Sequence, residues 1–267
     1  DRVDLEFDQL GLELASTGCC GGRRRVLHGV TGSLRAGRVA AVMGPSGAGK
    51  TTLLNVLSGR WDRRARLSGR VRVNGDSALS LKSLSPLVAF VPQEDIMCRE
   101  LTVRELLEFS AAARLPAACT QARRRAVVND VLRVLKLVGI RHAVVGDELR
   151  RGISGGQRKR VNVGMELVAD PSLLFADEPT SGLDSATSLD VMHAFHDVAR
   201  RGATVAVVLH QPSMQIYAAF DDVLLLAAAG RTAYLGAPSG AKKWFTSLGI
   251  RFPSDWAPPD YFMQILA

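Results

Sequence analysis

Gly44, Pro45, Ser46, Gly47, Ala48, Gly49, Lys50, Thr51 and Thr52 fill every fixed position of the pattern G-x-x-x-x-G-K-[ST]. Glycines in such a loop let successive backbone N–H groups curl around a phosphate chain. Lys50 is then in reach of β- and γ-phosphates, and the Thr51 hydroxyl is a magnesium ligand. Asp177, at the end of the apolar run Leu173-Leu-Phe-Ala, supplies the further acid such a loop needs to hold the ion. Its neighbour Glu178 is placed to polarise an attacking water. Ser154, Gly155, Gly156 and Gln157 precede an amphipathic stretch and expose a helix N-terminus with a hydroxyl. That arrangement suits a phosphate, and it equally suits a plain N-cap by Ser154.

These residues need strands and helices at fixed places. Val39–Met43 is a short apolar run feeding the glycine loop, and Leu53, Leu54, Val56 and Leu57 follow at helical spacing. The order is strand, glycine loop, helix. Val3 to Leu14 alternates as a half-buried strand with a break near Gln9, and Gly18 to Gly22 reads as a turn into a second strand. Further strands are expected at 70–73, 89–92, 173–176, 204–209, 223–226 and 232–235, and helices at 103–113, 122–137, 157–168 and 185–200. The later alternation implies a parallel sheet with crossover helices. Residues 94–167 read as almost wholly helical, an insertion between sheet-forming parts.

The chain has 267 residues, enough for a substantial core without a staple, and its composition excludes disorder and collagen. Cys19, Cys20, Cys98 and Cys119 form neither a disulfide framework nor a zinc spacing, which fits a reducing compartment. The longest apolar run, Val223–Ala229, is far too short to span a bilayer, so the chain as given is expected to be soluble. It begins at Asp1 rather than Met and ends on the apolar run Tyr261–Ala267, as a piece cut from something longer would. The formal net charge of +8 gathers at Arg23–Arg25, between Arg60 and Arg70, at Arg123–Arg125 and at Arg150–Arg160. No aromatic residues interleave with these clusters as a base-stacking platform requires. Asp190, His193, His196 and Asp197 are read as a polar helix face rather than a metal site, and the isolated His28 and His142 receive no role.

The ordered set of the glycine loop, Gln93, Ser154-Gly155-Gly156-Gln157, Asp177-Glu178, Ser181-Gly182-Leu183-Asp184 and His210 resembles an ATP-binding cassette domain over essentially the whole chain. The wording of Val91-Pro-Gln-Glu-Asp95, Leu101-Thr-Val-Arg-Glu105, Arg151-Gly-Ile-Ser-Gly-Gly156 and His210-Gln-Pro-Ser213 is similar to the G subfamily, the white/brown-complex half transporters. The resemblance implies a single α/β cassette, a P-loop NTPase (RecA-like) core with an N-terminal antiparallel β portion and a helical subdomain. Residues 1–93 and 168–267 would form the core and 94–167 the subdomain.

By the same resemblance, Gln93 would sense the γ-phosphate and magnesium, His210 would contact the γ-phosphate, and Asp184 would link two halves of a dimer. Ser154 and Gly156, with Gly155 and Gln157, would close over ATP held by the opposite copy. Two ATP molecules would be sandwiched between two chains at the cytoplasmic face of a membrane, with a transmembrane domain as partner, and hydrolysis would power transport. Two departures stand out. No aromatic residue lies near Arg23–Leu27 to stack adenine, which leaves Arg25 or Val26 for the base, and Gln157 stands where the G subfamily often has Glu.

Two other classes fit part of the pattern. A non-transport cassette ATPase working on nucleic acid or the ribosome would use the +8 charge, but the interval from Gln93 to Ser154 leaves no room for a long coiled coil. A P-loop phosphotransferase would leave Ser154–Gln157 and His210 without a task.

Overall fold

The computed structural model describes residues 2–15, 22–62, 64–76, 81–147, 151–228, 230–253 and 256–267. The turn expected at Gly18, Cys19, Cys20 and Arg150 therefore lie outside the described residues, in whole or in part. The chain runs β1 (Leu5–Ala15), β2 (Arg23–Leu34), β3 (Val39–Met43), α1 (Lys50–Leu57), β4 (Arg66–Val73) and β5 (Val88–Val91). Then come α2 (Val103–Arg114), α3 (Gln121–Val134), α4 (Gly155–Leu167), β6 (Leu173–Asp177), α5 (Ser185–Arg200) and β7 (Thr204–Val208). The chain closes with α6 (Met214–Ala218), β8 (Asp222–Ala227), β9 (Arg231–Gly236), α7 (Pro238–Ser247) and α8 (Pro258–Ile265).

Five apolar residues in a row, as in β3, make a strand that must be covered on both faces, and all five are buried. It lies inside a six-stranded sheet of order β5-β6-β7-β3-β8-β9. Strands β5, β6, β7, β3 and β8 are parallel, whereas β9 returns antiparallel beside β8. The final strand thus departs from the crossover pattern: too few residues separate β8 from β9 to carry a helix across, so the pair closes as a hairpin. Val39, Ala41 and Met43 face one core with α2 to α8, and Ala40 and Val42 face another with α1 and the N-terminal strands.

The second sheet, β2-β1-β4, is antiparallel. The break near Gln9 is a bulge within one continuous strand: Gln9 has φ 49°, and β1's register with both neighbours shifts there. Between β5 and β6 the chain makes α2, α3 and α4, with one isolated bridge from Thr102 to Val144. Helix α2 starts with a capping box between Thr102 and Glu105.

The parallel sheet decides where the chemistry lies. The carboxyl ends of β3, β5, β6 and β7 lie along one edge, so the residues that follow them emerge together. Those residues are Gly44, Gln93, Asp177-Glu178 and His210.

Candidate nucleotide site

The loop after β3 approaches its neighbours too closely for side chains. A Cβ on Gly44 would stand 2.4 Å from the Leu226 carbonyl oxygen. Gly47 and Gly49 take the left-handed backbone at φ 78° and 86°, and the side of Gly47 is open. Gly49 caps α1 and has no side chain to bond the first N–H groups of that helix. Pro45 and Thr52 are half-buried, Ala48 is buried, and Ser46 is exposed.

Lys50 is buried, and its Nζ donates to the carbonyl oxygens of Gly44 at 2.8 Å and Pro45 at 3.0 Å. Burial lowers its pKa, against the attraction of Glu178 and Asp177. Asp177 is buried as well, and desolvation raises its carboxyl despite a hydrogen bond from the Thr51 hydroxyl, 3.2 Å away. A buried ammonium held by carbonyl groups is suited to an anion, and a buried carboxylate beside a hydroxyl is suited to a hard cation. Thr51, Asp177 and the Gln93 carboxamide offer only oxygen donors, a set that fits Mg²⁺ and not a soft metal.

Glu178 is half-buried with φ 47°, a conformation that costs a non-glycine residue about 1 kcal/mol or more. Its N–H donates to Val208 O at 3.1 Å, which ties the turn to β7, and its Oε2 accepts from Gln93 Nε2 at 2.9 Å. His210 follows β7, is exposed, and lines a cavity of about 390 Å³ together with Glu178, Ser181 and Leu183. The edge therefore brings together Lys50, Thr51, Asp177, Glu178 and Gln93 by bonds or charge, and His210 by a shared cavity.

Ser154, Gly155, Gly156 and Gln157 stand elsewhere, at the start of α4. Ser154 Oγ accepts from Gln157 N at 3.3 Å, and Gln157 Oε1 accepts from Ser154 N at 2.9 Å. The N-cap reading of Ser154 is realised, and the hydroxyl also lies exposed beside Gly155. Asp184 likewise caps α5, accepting from Thr187 N at 2.9 Å and Thr187 Oγ1 at 2.7 Å, bonds that hold its carboxyl below the usual range. Among the described residues, no hydrogen bond joins Ser154–Gln157 to Gly44–Thr52.

Near the loop, a Cβ on Gly49 would meet Leu27 Cδ2 at 2.8 Å and Val26 O at 3.3 Å. Of the two residues suggested for the base, Val26 thus borders the loop, and Arg25 is exposed.

The basic run after Gln157 divides. Lys159 is buried against Asp95, 3.3 Å away, and Arg160 donates to Leu135 O at 3.1 Å. These two are therefore neither solvated charge nor free to meet an outside anion. Asp190 pairs with Lys136 at 2.7 Å and Asp197 with Arg200 at 2.9 Å. His28 is half-buried and its Nε2 faces Arg25 O at 3.3 Å, whereas His142 is exposed. Sequence reasoning named Lys159 only as part of the basic run and missed Asn162 and Thr187. The visible signal was polar residues recurring at core-facing positions of α4.

A glycine loop joining a central parallel strand to a helix, with an acid on the next strand but one, defines a P-loop nucleotide-binding protein. The family profile described as ABC transporter matches residues 27–181, and a second, described as ABC-2 type transporter, matches residues 210–267. The chain belongs to the ABC transporter family.

It is 47% identical over 245 residues to ABC transporter G family member 25 of Oryza sativa subsp. japonica, covering 92% of this chain and 24% of that protein. It is 40% identical over 247 residues to Protein white of Drosophila melanogaster, covering 92% of this chain and 36% of that protein. The chain thus spans about a quarter to a third of the length of these curated relatives. A solved bacterial Atm1-family ABC exporter with ATP bound shares the fold with TM-score 0.67 at 24% identity, over 95% of this chain and 43% of that one. A dimeric ATP-binding cassette in a post-hydrolysis state, bound to ADP and Pi, gives TM-score 0.70 at 23% identity, over 88% and 98%. Among the described residues of this chain, no helix is long and apolar enough to cross a membrane.

Proposed function

We propose that this chain is the ATP-binding and ATP-hydrolysing module of a G-type half transporter, a single cassette with residues 94–167 as its helical subdomain. The carrying observation is the shared edge of the sheet, where Lys50, Asp177, Glu178, Gln93 and His210 emerge together, while among the described residues no hydrogen bond ties Ser154–Gln157 to the Gly44–Thr52 loop. Glycine-loop N–H groups and the Lys50 ammonium hold the β- and γ-phosphates of ATP. Thr51, Asp177 and Gln93 would hold Mg²⁺, which when bound supplies further neutralisation of phosphate charge. Glu178 accepts a hydrogen bond from the attacking water and then its proton, the P–O bond to ADP breaks in line, and His210 contacts the γ-phosphate. Gln93 holds the Glu178 carboxylate through its amide at 2.9 Å.

Ser154, Gly155, Gly156 and Gln157 act on the ATP of a second copy, so two chains pair head to tail around two ATP, with Asp184 at the junction. The module works at the cytoplasmic face of a membrane, with a transmembrane domain of the full-length protein as partner. The similarity to G-family relatives and the ABC-2 type profile over residues 210–267 support that placement. Nucleic acid is not a specific partner in this reading. Lys159 is buried against Asp95 and so is no part of an exposed basic surface.

Glu178→Gln tests the assignment directly. It is expected to retain ATP binding, lose turnover and accumulate as an ATP-bound dimer by light scattering. Undiminished hydrolysis in that variant would remove Glu178 as the base.

A further inference from the structure

Three polar residues on one side of α4 are buried: Lys159, Asn162 and Glu166 are 4%, 3% and 6% exposed. Burying such groups is costly unless each finds a partner, so their partners show what the helix holds. Glu166 Oε2 accepts from Phe90 N at 3.1 Å and the carboxylate pairs with Arg114. Asn162 Nδ2 lies 3.5 Å from Pro92 O, 3.4 Å from Glu94 O and 3.2 Å from Asp95 Oδ1. Lys159 Nζ donates to the Gln93 carbonyl oxygen and forms an ion pair with Asp95 at 3.3 Å. From Phe90 to Asp95 the chain is thus held to one helix at successive points. A helix needing only to cover the sheet would do so with apolar residues at less desolvation cost.

The segment so held carries Gln93, whose side chain reaches Glu178 at 2.9 Å. The same helix begins at Ser154, and Gly155, Lys159 and Gln93 line one cavity of about 500 Å³ with Ser181 and Gly182. We infer that Lys159 is a positioning residue: it fixes the Gln93 backbone to α4, so that a displacement of the exposed Ser154 end of the helix is passed through Gln93 to the Glu178 carboxylate. The inference rests on the roles proposed above for Gln93 and Glu178. Lys159 does not touch the reacting atoms. Its hydrogen bond reaches the site through Gln93, and its charge also favours the ionised Asp177 carboxylate; its removal should leave the backbone of the nucleotide's own loop untouched.

A double-mutant cycle on ATP hydrolysis tests this, with hydrogen exchange as a second readout. Lys159→Met is expected to lower kcat by about tenfold or more, as for other small misplacements of a catalytic group, with nucleotide affinity unchanged within about twofold. In a Gln93→Ala background the same substitution should change kcat by less than about twofold, because the residue it positions is gone. Backbone exchange should rise at residues 93–96 and stay unchanged at residues 44–52. If Lys159→Met does not fold, Lys159→Gln, which also removes the ammonium but keeps a polar side chain for the buried position, takes its place in both measurements.

Losses that multiply in the two backgrounds, or exchange that stays flat at residues 93–96, would overturn the inference. Glu178→Gln separates the two levels. If that variant is inert while the losses multiply, the positioning role alone fails; if it hydrolyses ATP normally, the site reading fails and takes this inference with it.

Discussion

Asp177 and Lys50 bring an acid and a base into one buried edge, and desolvation raises the pKa of the first and lowers that of the second. For Asp177 the folded pKa is raised by burial, so its contribution favours folding below the unfolded value, about 3.9, and is lost as pH rises through the folded value. Above the folded value the ionised carboxylate is therefore a burden on the ligand-free chain. Lys50 behaves as the mirror case: its lowered pKa gives a contribution present above the unfolded value and lost as pH falls through the folded one. Asp177→Asn should accordingly raise the ligand-free melting temperature at pH 7.5, by about 2 °C or more, the shift expected from about 1 kcal/mol in a chain of this size. The gain should shrink as pH falls from 7.5 through the folded value and the parent's Asp177 takes up its proton, and magnesium should no longer add to the stabilisation by nucleotide. Calorimetry across that range decides, and a lower melting temperature at pH 7.5 would contradict the burden. Lys50, Thr51 and Asp177 were legible in the sequence because loop chemistry fixes residue type and spacing together. The left-handed backbone of Glu178 was not, because nothing in an Asp-Glu pair announces a φ of 47°.

Among the elements, the long helices were legible from period and caps: the expected start of α5 at Ser185 is also the observed one, with Asp184 as its cap. Short elements escaped. Helix α6 has five residues, and α7 and α8 open on prolines within short stretches whose spacing alone does not separate helix from loop. Helix α4 was visible as a helix, but polar residues at its core-facing positions disguised which side is buried, since their partners come from residues far away in sequence. Its first turn also explains a glycine in physical terms. A Cβ on Gly156 would stand 2.6 Å from Thr187 Cγ2, in the first turn of α5. Gly156→Ala should therefore destabilise the chain by about 1–3 kcal/mol, the range for overpacking, as read from urea unfolding. Thr187→Ser removes the offending methyl and keeps a hydroxyl to bond Asp184, so adding it should restore most of that loss. If the proposed role of Gly156 on the second copy's ATP is right, stability returns in the double variant and turnover does not. Failure of Thr187→Ser to restore stability would show that the contact does not set the size of this residue.

For the whole molecule, the lack of any hydrogen bond among the described residues between the Lys50 loop and Ser154–Gln157 bears on stoichiometry. If each ATP needs the loop of one copy and the Ser154 end of another, the rate per chain must rise with protein concentration until dimers dominate. A sharper form uses two defective chains. Lys50→Ala removes the loop cation. Ser154→Asp preserves an N-cap for α4, because aspartate caps as well as serine, while placing a negative charge where the second copy's phosphate would lie. Each variant alone should be nearly inert. Mixed in equal amounts they form a mixed dimer in which both lesions fall on one composite site, and the other site is whole. Random pairing then gives about a quarter of the parent rate by mass action, provided the two sites work independently. Recovery of that order would place the Ser154 end across the dimer from Lys50. No recovery, from variants that each still bind nucleotide and form mixed dimers, would mean that loop and helix end serve the same ATP within one chain, and the head-to-tail arrangement would have to be abandoned.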